Sequence, residues 1–226
     1  MIRVLIIIFI SMSLKANLLE RDDVKKFIDL AVEESNLTRE EIIDYIKDAQ
    51  PSPKAVELRS NQPEVKATWD DYRSKRVTDT RILNGVNFIN ENADIFNKVE
   101  KDYGVSKFYI ASIIGLETNY GGYLGSFNPL DTIFTRAFDP DSRFWQRELV
   151  ELLVLSKRYG LKPKEIKSSW SGAIGLGQFI PSSYNAYGVD YDYDGYVDLL
   201  NSRMDGIASV ANFLKVHGWN SNQPAA

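Results

Sequence analysis

A mainly α-helical fold is what this chain of 226 residues predicts, and three observations predict it. Apolar residues recur three and four positions apart in successive segments, the spacing that lines one face of an α-helix. Capping residues stand ahead of those segments, and glycines or prolines follow them. No stretch up to Gly160 shows the strict alternation of a half-buried strand.

At the N-terminus, Met1 to Ala16 carries Arg3, an apolar run from Val4 to Ile10, then Ser11, Ser13 and Ala16. That is the pattern of a short secretory signal, residues 1–16, and the run is short for a membrane span. Leu14 and Lys15 fit a cleavage site poorly, so an uncleaved anchor is the other reading. Val24, Phe27, Ile28 and Ala31 then repeat at helical spacing. Thr38 and Glu41 make a capping box ahead of Ile42, Ile43, Tyr45, Ile46 and Ala49. Pro51, Pro53 and Pro63 interrupt regular structure, so Gln50 to about Thr68 is expected to be an irregular connection. Residues 17–68 form an N-terminal helical segment in this scheme, and residues 69–219 a core.

The core opens on Trp69, Tyr72 and Arg73, aromatics that either pack the domain or line a groove for sugar faces. Two helices follow, one through Ile82, Val86 and Ile89, the next through Ile95, Phe96, Val99 and Tyr103 to Gly104. A third is expected from Lys107 to Asn119, capped by Ser106 and closed by a left-handed Gly121. On it Glu117 shares a face with Ile110, Ile113 and Ile114. A carboxylate there is either a protonated acid kept neutral by lost hydration, or an ionised group at the rim of the stripe, solvated or paired with an Arg. Gly125, Asn128 and Pro129 read as a loop, and Ser142 to Tyr159 as a helix ended by Gly160 and Pro163.

From Ser168 to Tyr184, three glycines and small residues permit close approach, either to a ligand or within a tight turn between helices. Asp190-Tyr191-Asp192-Tyr193-Asp194-Gly195-Tyr196-Val197-Asp198 has the spacing of an EF-hand calcium loop. Asp190, Asp192, Asp194 and Asp198 would supply carboxylates, Tyr196 its carbonyl, and Asp205 the missing twelfth-position ligand, where Asn201 stands. A helix through Ile207, Val210, Ala211 and Leu214 ends near Gly218, and residues 220–226 read as coil.

Composition restricts the chemistry. With 44% hydrophobic and 12% aromatic residues, the chain can bury a core for one or two domains. A net charge of -4 with no long basic run argues against a nucleic-acid partner. Zero cysteines remove disulfides, thiol nucleophiles and thiolate metal sites, and a single histidine, His217, disfavours a catalytic triad or a His-based zinc site. Acid-base chemistry must then rest on carboxylates, with Glu117 the main candidate.

Ile113 to Gly121, Ser169 to Ser183, Asp190 to Asp198, and the run Ile207 to Phe213 followed by His217-Gly218-Trp219 together resemble the B-type bacterial lytic murein transglycosylases over roughly residues 65–219. The resemblance implies a lysozyme-like helical core. It also implies cleavage of peptidoglycan between N-acetylmuramic acid (MurNAc) and N-acetylglucosamine (GlcNAc), leaving a 1,6-anhydro end. By it Glu117 matches the catalytic acid and base, Ser169 and Gln178 active-site positions, Tyr72 a groove tyrosine and Tyr120 a further substrate contact. The Asp190 loop matches a structural calcium site. Departures are Phe213, where the family commonly has Tyr, the absence of a lipid-bearing cysteine, which points to a soluble periplasmic protein, and a short stretch after Trp219 where relatives complete the groove. A weak or inactive peptidoglycan-binding protein is therefore the alternative. A hydrolytic muramidase using Asp131 or Asp139 as second carboxylate is a third.

Overall fold

The computed structural model describes residues 18–60, 68–138 and 142–223. The expected signal segment, Pro63 and Asp139 lie outside them. Among the described residues eleven helices appear, and paired backbone outside them is limited to three isolated bridges.

α1 (Asp22–Glu34) and α2 (Arg39–Ile46) follow the apolar spacing, and Thr38 and Glu41 form the expected capping box. The connection after Gln50 is not irregular throughout, because α3 (Pro53–Ser60) occupies it. Proline is tolerated in a first helical turn, where its missing N–H would have had no partner. The segment ahead of α3 is fastened to the body by the Gln50 N–H donating to Asp131 Oδ1 (2.7 Å) and the Ser52 N–H donating to Thr135 Oγ1 (2.8 Å).

α4 (Trp69–Arg76), α5 (Asp79–Glu91) and α6 (Ala93–Tyr103) come next, the last closed by Gly104 in the left-handed conformation. α7 (Lys107–Thr118) is capped by Ser106 as expected. The residue that closes it is Asn119 (φ 49°) rather than Gly121, and Tyr120 (φ 61°) and Gly121 (φ 84°) continue in the same region. Asparagine tolerates that conformation; tyrosine is strained in it. The side chain of Tyr120 holds the strain in place: its hydroxyl donates to the Arg81 carbonyl at 3.0 Å. A Cβ at either Gly85 or Gly115 would come within 2.5 Å of a Tyr120 side-chain atom. Both glycines are therefore the slot into which the ring fits, joining α5 to α7.

The expected loop at Asn128 instead begins α8 (Pro129–Phe138). Asn128 Oδ1 accepts from the Asp131 N–H at 2.8 Å, so Asn-Pro is a cap followed by a first-turn proline. α9 (Arg143–Tyr159) is the longest helix among the described residues and packs on α8, on α10 (Pro181–Tyr187) and on α1. α11 (Arg203–Val216) packs on α6 and α7, capped by Ser202. One hydrophobic cluster runs from Val24 and Phe27 of α1 to Val210 and Ala211 of α11. Among the described residues no helix is long and apolar enough to cross a membrane.

Candidate active site

α7 projects Glu117 into open space at its C-terminal end. Ile110 and Ile114 on the same face are fully buried and Ile113 partly so. The stripe runs out one turn before Glu117, whose side chain is exposed to a groove instead of enclosed among the isoleucines. Protein atoms around the carboxyl still remove enough water to raise its pKa above the usual carboxylate value, while Arg76 pulls it down.

Three cavities meet at Glu117. The first, about 400 Å³, is walled by Arg76, Arg81, Asn84, Asn119 and Tyr123. The second, about 300 Å³, brings Ser169, Gln178, Trp170 and Phe127 around the same carboxyl. The third, about 250 Å³, is lined mainly by Ile113, Phe179, Val210 and Phe213, with Gln178 at its edge. Among the described residues lining them, Glu117 is the single carboxylate.

The 168–180 segment delivers Ser169 and Gln178. Its backbone doubles back through bridges between Phe127 and Ser168, Ser168 and Ile174, and Ile174 and Phe179. Gly175, at φ 77°, lies where an added Cβ would be 2.3 Å from the Leu199 carbonyl oxygen, so its small size serves packing within the chain. Thr118 ties the segment to α7, its hydroxyl 2.9 Å from the Leu176 carbonyl. Ser169 Oγ accepts from the N–H groups of Ala173 (3.1 Å) and Ser171 (3.2 Å), which orients it. Gln178, at φ 51°, donates from Nε2 to the Gly175 carbonyl at 3.0 Å.

Two expected substrate contacts are placed elsewhere. The Tyr120 hydroxyl is committed to the Arg81 carbonyl and its ring lies between α5 and α7, where it lines none of the three cavities. Tyr72 stacks on Trp69 (6.1 Å between centroids) beneath the Arg76 guanidinium, and it lines none of the three cavities. It is Arg76, four residues further along the same helix face, that reaches Glu117. Sequence reasoning missed Arg76, although that spacing from Tyr72 was visible. It also missed Trp170, whose ring lies 5.1 Å from the Arg136 guanidinium. Arg136 also sits 3.8 Å from the Trp145 ring, and burial brings its pKa down to about 10.

Other carboxylates have structural occupations. Asp131 accepts from Lys164 Nζ at 2.7 and 2.8 Å, besides Gln50 and Asn128, so this one of the two carboxylates offered by the muramidase reading is locked into an ion pair, while Asp139 lies outside the described residues. Glu148, not foreseen, is buried and accepts from the Ser182 N–H (3.1 Å) and hydroxyl (2.6 Å) at the start of α10. Burial pushes its carboxyl up, against the pull of those bonds.

In the acidic loop, Asp190, Asp192 and Asp194 each offer an oxygen within 4.8 Å of the others. Gly195 makes the turn at φ 91°. Asp198 and Asp205 do not join this cluster. Asp198 Oδ1 accepts from the N–H groups of Leu200 and Asn201, both at 2.9 Å. Asp205 is fully buried and accepts from the N–H groups of Tyr191 (2.8 Å) and Asp198 (2.7 Å), pinning both ends of the loop to α11. The Tyr196 hydroxyl bonds to the Tyr159 carbonyl.

Residues 20–226 match the transglycosylase SLT domain family. The chain belongs to that family. Among curated relatives of the SLT family, membrane-bound lytic murein transglycosylase B of Escherichia coli (strain K12) is 33% identical over 208 residues, 87% of this chain and 57% of the relative's length. The chain therefore spans little more than half of that protein. The catenated lytic transglycosylase SltB1 of Pseudomonas aeruginosa superposes with a TM-score of 0.85 at 34% identity, over 90% of this chain and 68% of that one. Slt35 of E. coli, solved in complex with calcium, gives 0.82 at 32% identity, over 91% and 66%. SltB3 of P. aeruginosa, solved with NAG-NAM-pentapeptide, gives 0.81 at 30% identity, over 88% and 54%. The lysozyme-like helical core expected from the sequence is the fold these SLT relatives share.

Proposed function

We propose that this chain is a lytic transglycosylase acting on the MurNAc–GlcNAc bond of peptidoglycan in the periplasm, with Glu117 as its one acid and base. The observation that carries the proposal is that Glu117 is, among the described residues, the single carboxylate at the junction of three cavities, beside an oriented Ser169 and Gln178. A glycosidase of the ordinary type that adds water uses a second carboxylate as base or nucleophile. With one, the substrate's own groups must complete the reaction.

Protonated Glu117 donates to the glycosidic oxygen as the bond to the muramyl anomeric carbon breaks, and the muramyl 2-acetamido oxygen bonds that carbon from the other face. The ionised Glu117 then takes the proton of the muramyl C6 hydroxyl, whose oxygen attacks the same carbon and displaces the acetamido group. The 1,6-anhydro ring closes and Glu117 is protonated again. Each half needs a different protonation state of one group, and the opposed effects of lost hydration and Arg76 favour access to both. Ser169 would hold the acetamido group, and Gln178 the neighbouring sugar.

Calcium fits the acidic loop. Three carboxylates converging within 4.8 Å repel one another unless a cation joins them, and hard oxygen donors suit calcium. Asp190, Asp192 and Asp194 would hold it with the Tyr196 carbonyl, and bound calcium would brace the loop against α11. Slt35 is a relative solved with calcium.

The test is product analysis. Purified protein incubated with sacculi should release anhydro-muropeptides, and Glu117→Gln should release none while keeping its helical circular dichroism. Reducing muramic ends from the wild type would replace the mechanism with hydrolysis. Binding without any product would favour a role limited to peptidoglycan binding.

A further inference from the structure

We infer that Trp170 is a platform on which a sugar ring of the substrate stacks, and that Arg136, which does not line the groove, is the residue that positions it. The inference deepens the peptidoglycan reading above and rests on it only in requiring that the groove take a glycan.

Trp170 stands at the tip of a turn. The Gly172 N–H donates to the Ser169 carbonyl at 3.0 Å, with Trp170 and Ser171 between them. The Ser169 hydroxyl is held inside this turn by the N–H groups of Ser171 and Ala173, whereas Trp170 reaches the cavity that also holds Glu117 and Gln178. The turn closes against α8, since a Cβ added at Gly172 would lie 2.4 Å from a side-chain carbon of Ile133. Arg136 is three residues beyond Ile133 and so on the same face of α8. Its guanidinium lies 5.1 Å from the centre of the Trp170 ring and 3.8 Å from that of Trp145 on α9. Neither Arg136 nor Trp145 lines any of the three cavities that meet at Glu117, so the cation meets Trp170 from behind the groove wall.

An arginine is a costly side chain for this place. Its Nε and Nη1 are buried and meet no acceptor among the described residues. Burial, and secondly the charge of Arg59 on α3, bring its pKa down to about 10, which leaves it a cation at neutral pH. Buried donors without acceptors destabilise a fold, and an apolar side chain of similar length would fill the space without that penalty. What a guanidinium adds is a charged plane that lies against two aromatic rings at once. Through it the Trp170 ring, at the tip of a turn, is tied to both α8 and α9. The apolar face of a sugar buries well against an indole. A ring already held in place loses little freedom when a sugar arrives, and that saving appears as affinity.

The experiment is a double-mutant cycle read by calorimetric titration with the soluble tetramer of GlcNAc, which carries neither peptide nor muramyl group. Arg136→Met and Arg136→Lys are each made in the wild type and in Trp170→Ala, and every protein is also melted. Trp170→Ala is expected to weaken binding about tenfold. Arg136→Met should weaken it about fivefold while melting at or above the wild-type temperature, because a buried charge gives way to an apolar chain. Arg136→Lys keeps the charge without the plane and should fall between the two. In the Trp170→Ala background neither Arg136 substitution should weaken binding further. A residue that only supports the fold would instead lower the melting temperature and weaken binding by the same factor in both backgrounds, which would overturn the proposal. So would unchanged affinity in the single Arg136 variants, or a wild type that does not bind the tetramer. A coupled loss in a protein that releases no anhydro product from sacculi would uphold the platform while overturning the transglycosylase reading.

Discussion

Glu117 is exposed and yet perturbed, and both properties follow from one placement at the end of an apolar helix face. Its pKa is raised in the folded protein by lost hydration, so the fold binds its proton more tightly than the unfolded chain does. Stability from that proton is fully present below the unfolded carboxylate value and is lost as pH rises through the folded one. Glutamine mimics the protonated form. Glu117→Gln should therefore melt at or above the wild-type temperature at neutral pH, and the difference should shrink to nothing as pH falls through the carboxylate range; thermal scans across pH check it. Arg76 acts in the opposite direction on the same group, and Arg81 is the other cation facing it across the first cavity. Removing the nearer cation in Arg76→Gln should move the alkaline limb of the pH–turnover profile upward, because the acid then keeps its proton to higher pH. A limb that stays put or moves down would remove Arg76 from any electrostatic role at Glu117. Neither effect was legible in the sequence, where the face shared with three isoleucines left a buried acid and a rim carboxylate equally open. The outcome combines them, since a rim position can still be poorly hydrated.

Among elements, legibility followed the local signals. α1, α2, α5, α6, α7 and α9 were readable because their apolar stripes face one core and their caps are side chains named in the sequence. α3 and α8 were missed because Pro53 was taken as an interruption and Pro129 as part of a loop where each serves as a first-turn residue, and α10, which also begins with proline, was missed because its start lies in a stretch read for its glycines and small residues. The left-handed run after α7 was misplaced because Tyr120 adopts it only with tertiary support, and no local rule reveals a ring slotted between two glycines of different helices. That support makes a prediction. In Gly115→Ala the new methyl group would meet the Tyr120 ring at 2.5 Å, and overpacking of this kind costs about 1–3 kcal/mol. Thermal unfolding should register the loss, and adding Tyr120→Leu should recover part of it; no loss in the single variant would mean that the slot is slack. The acidic loop was legible as a pattern but not as a ligand set, because Asp205 serves two buried backbone donors. A ligand bound only by the folded state stabilises it. Chelation should therefore lower the melting temperature of the wild type and leave Asp192→Asn unmoved, and equal behaviour of the two would remove calcium from the loop.

At the scale of the whole molecule, sequence reasoning drew a boundary near Thr68, whereas the hydrophobic cluster is continuous from α1 to α11. Phe27 shows how. It is almost fully buried on α1 and meets Phe138 of α8 edge-on at 5.6 Å, while α1 packs on the long α9 whose Glu148 caps the start of α10. α10 in turn packs on α11, which flanks the helix of Glu117. A defect at Phe27 should then be felt at the groove and not only locally. Phe27→Ala is expected to cost about 3–5 kcal/mol, as large-to-small changes at buried aromatics do. If the core is one cooperative unit, the midpoint of denaturant unfolding should fall by the same amount whether followed by far-ultraviolet dichroism or by the fluorescence of the four tryptophans, all of which lie beyond Thr68 and one of which, Trp170, lines the groove. Two separated transitions, with only the dichroism-detected one displaced by the substitution, would show that the N-terminal helices fold apart from the site and that the boundary near Thr68 is real.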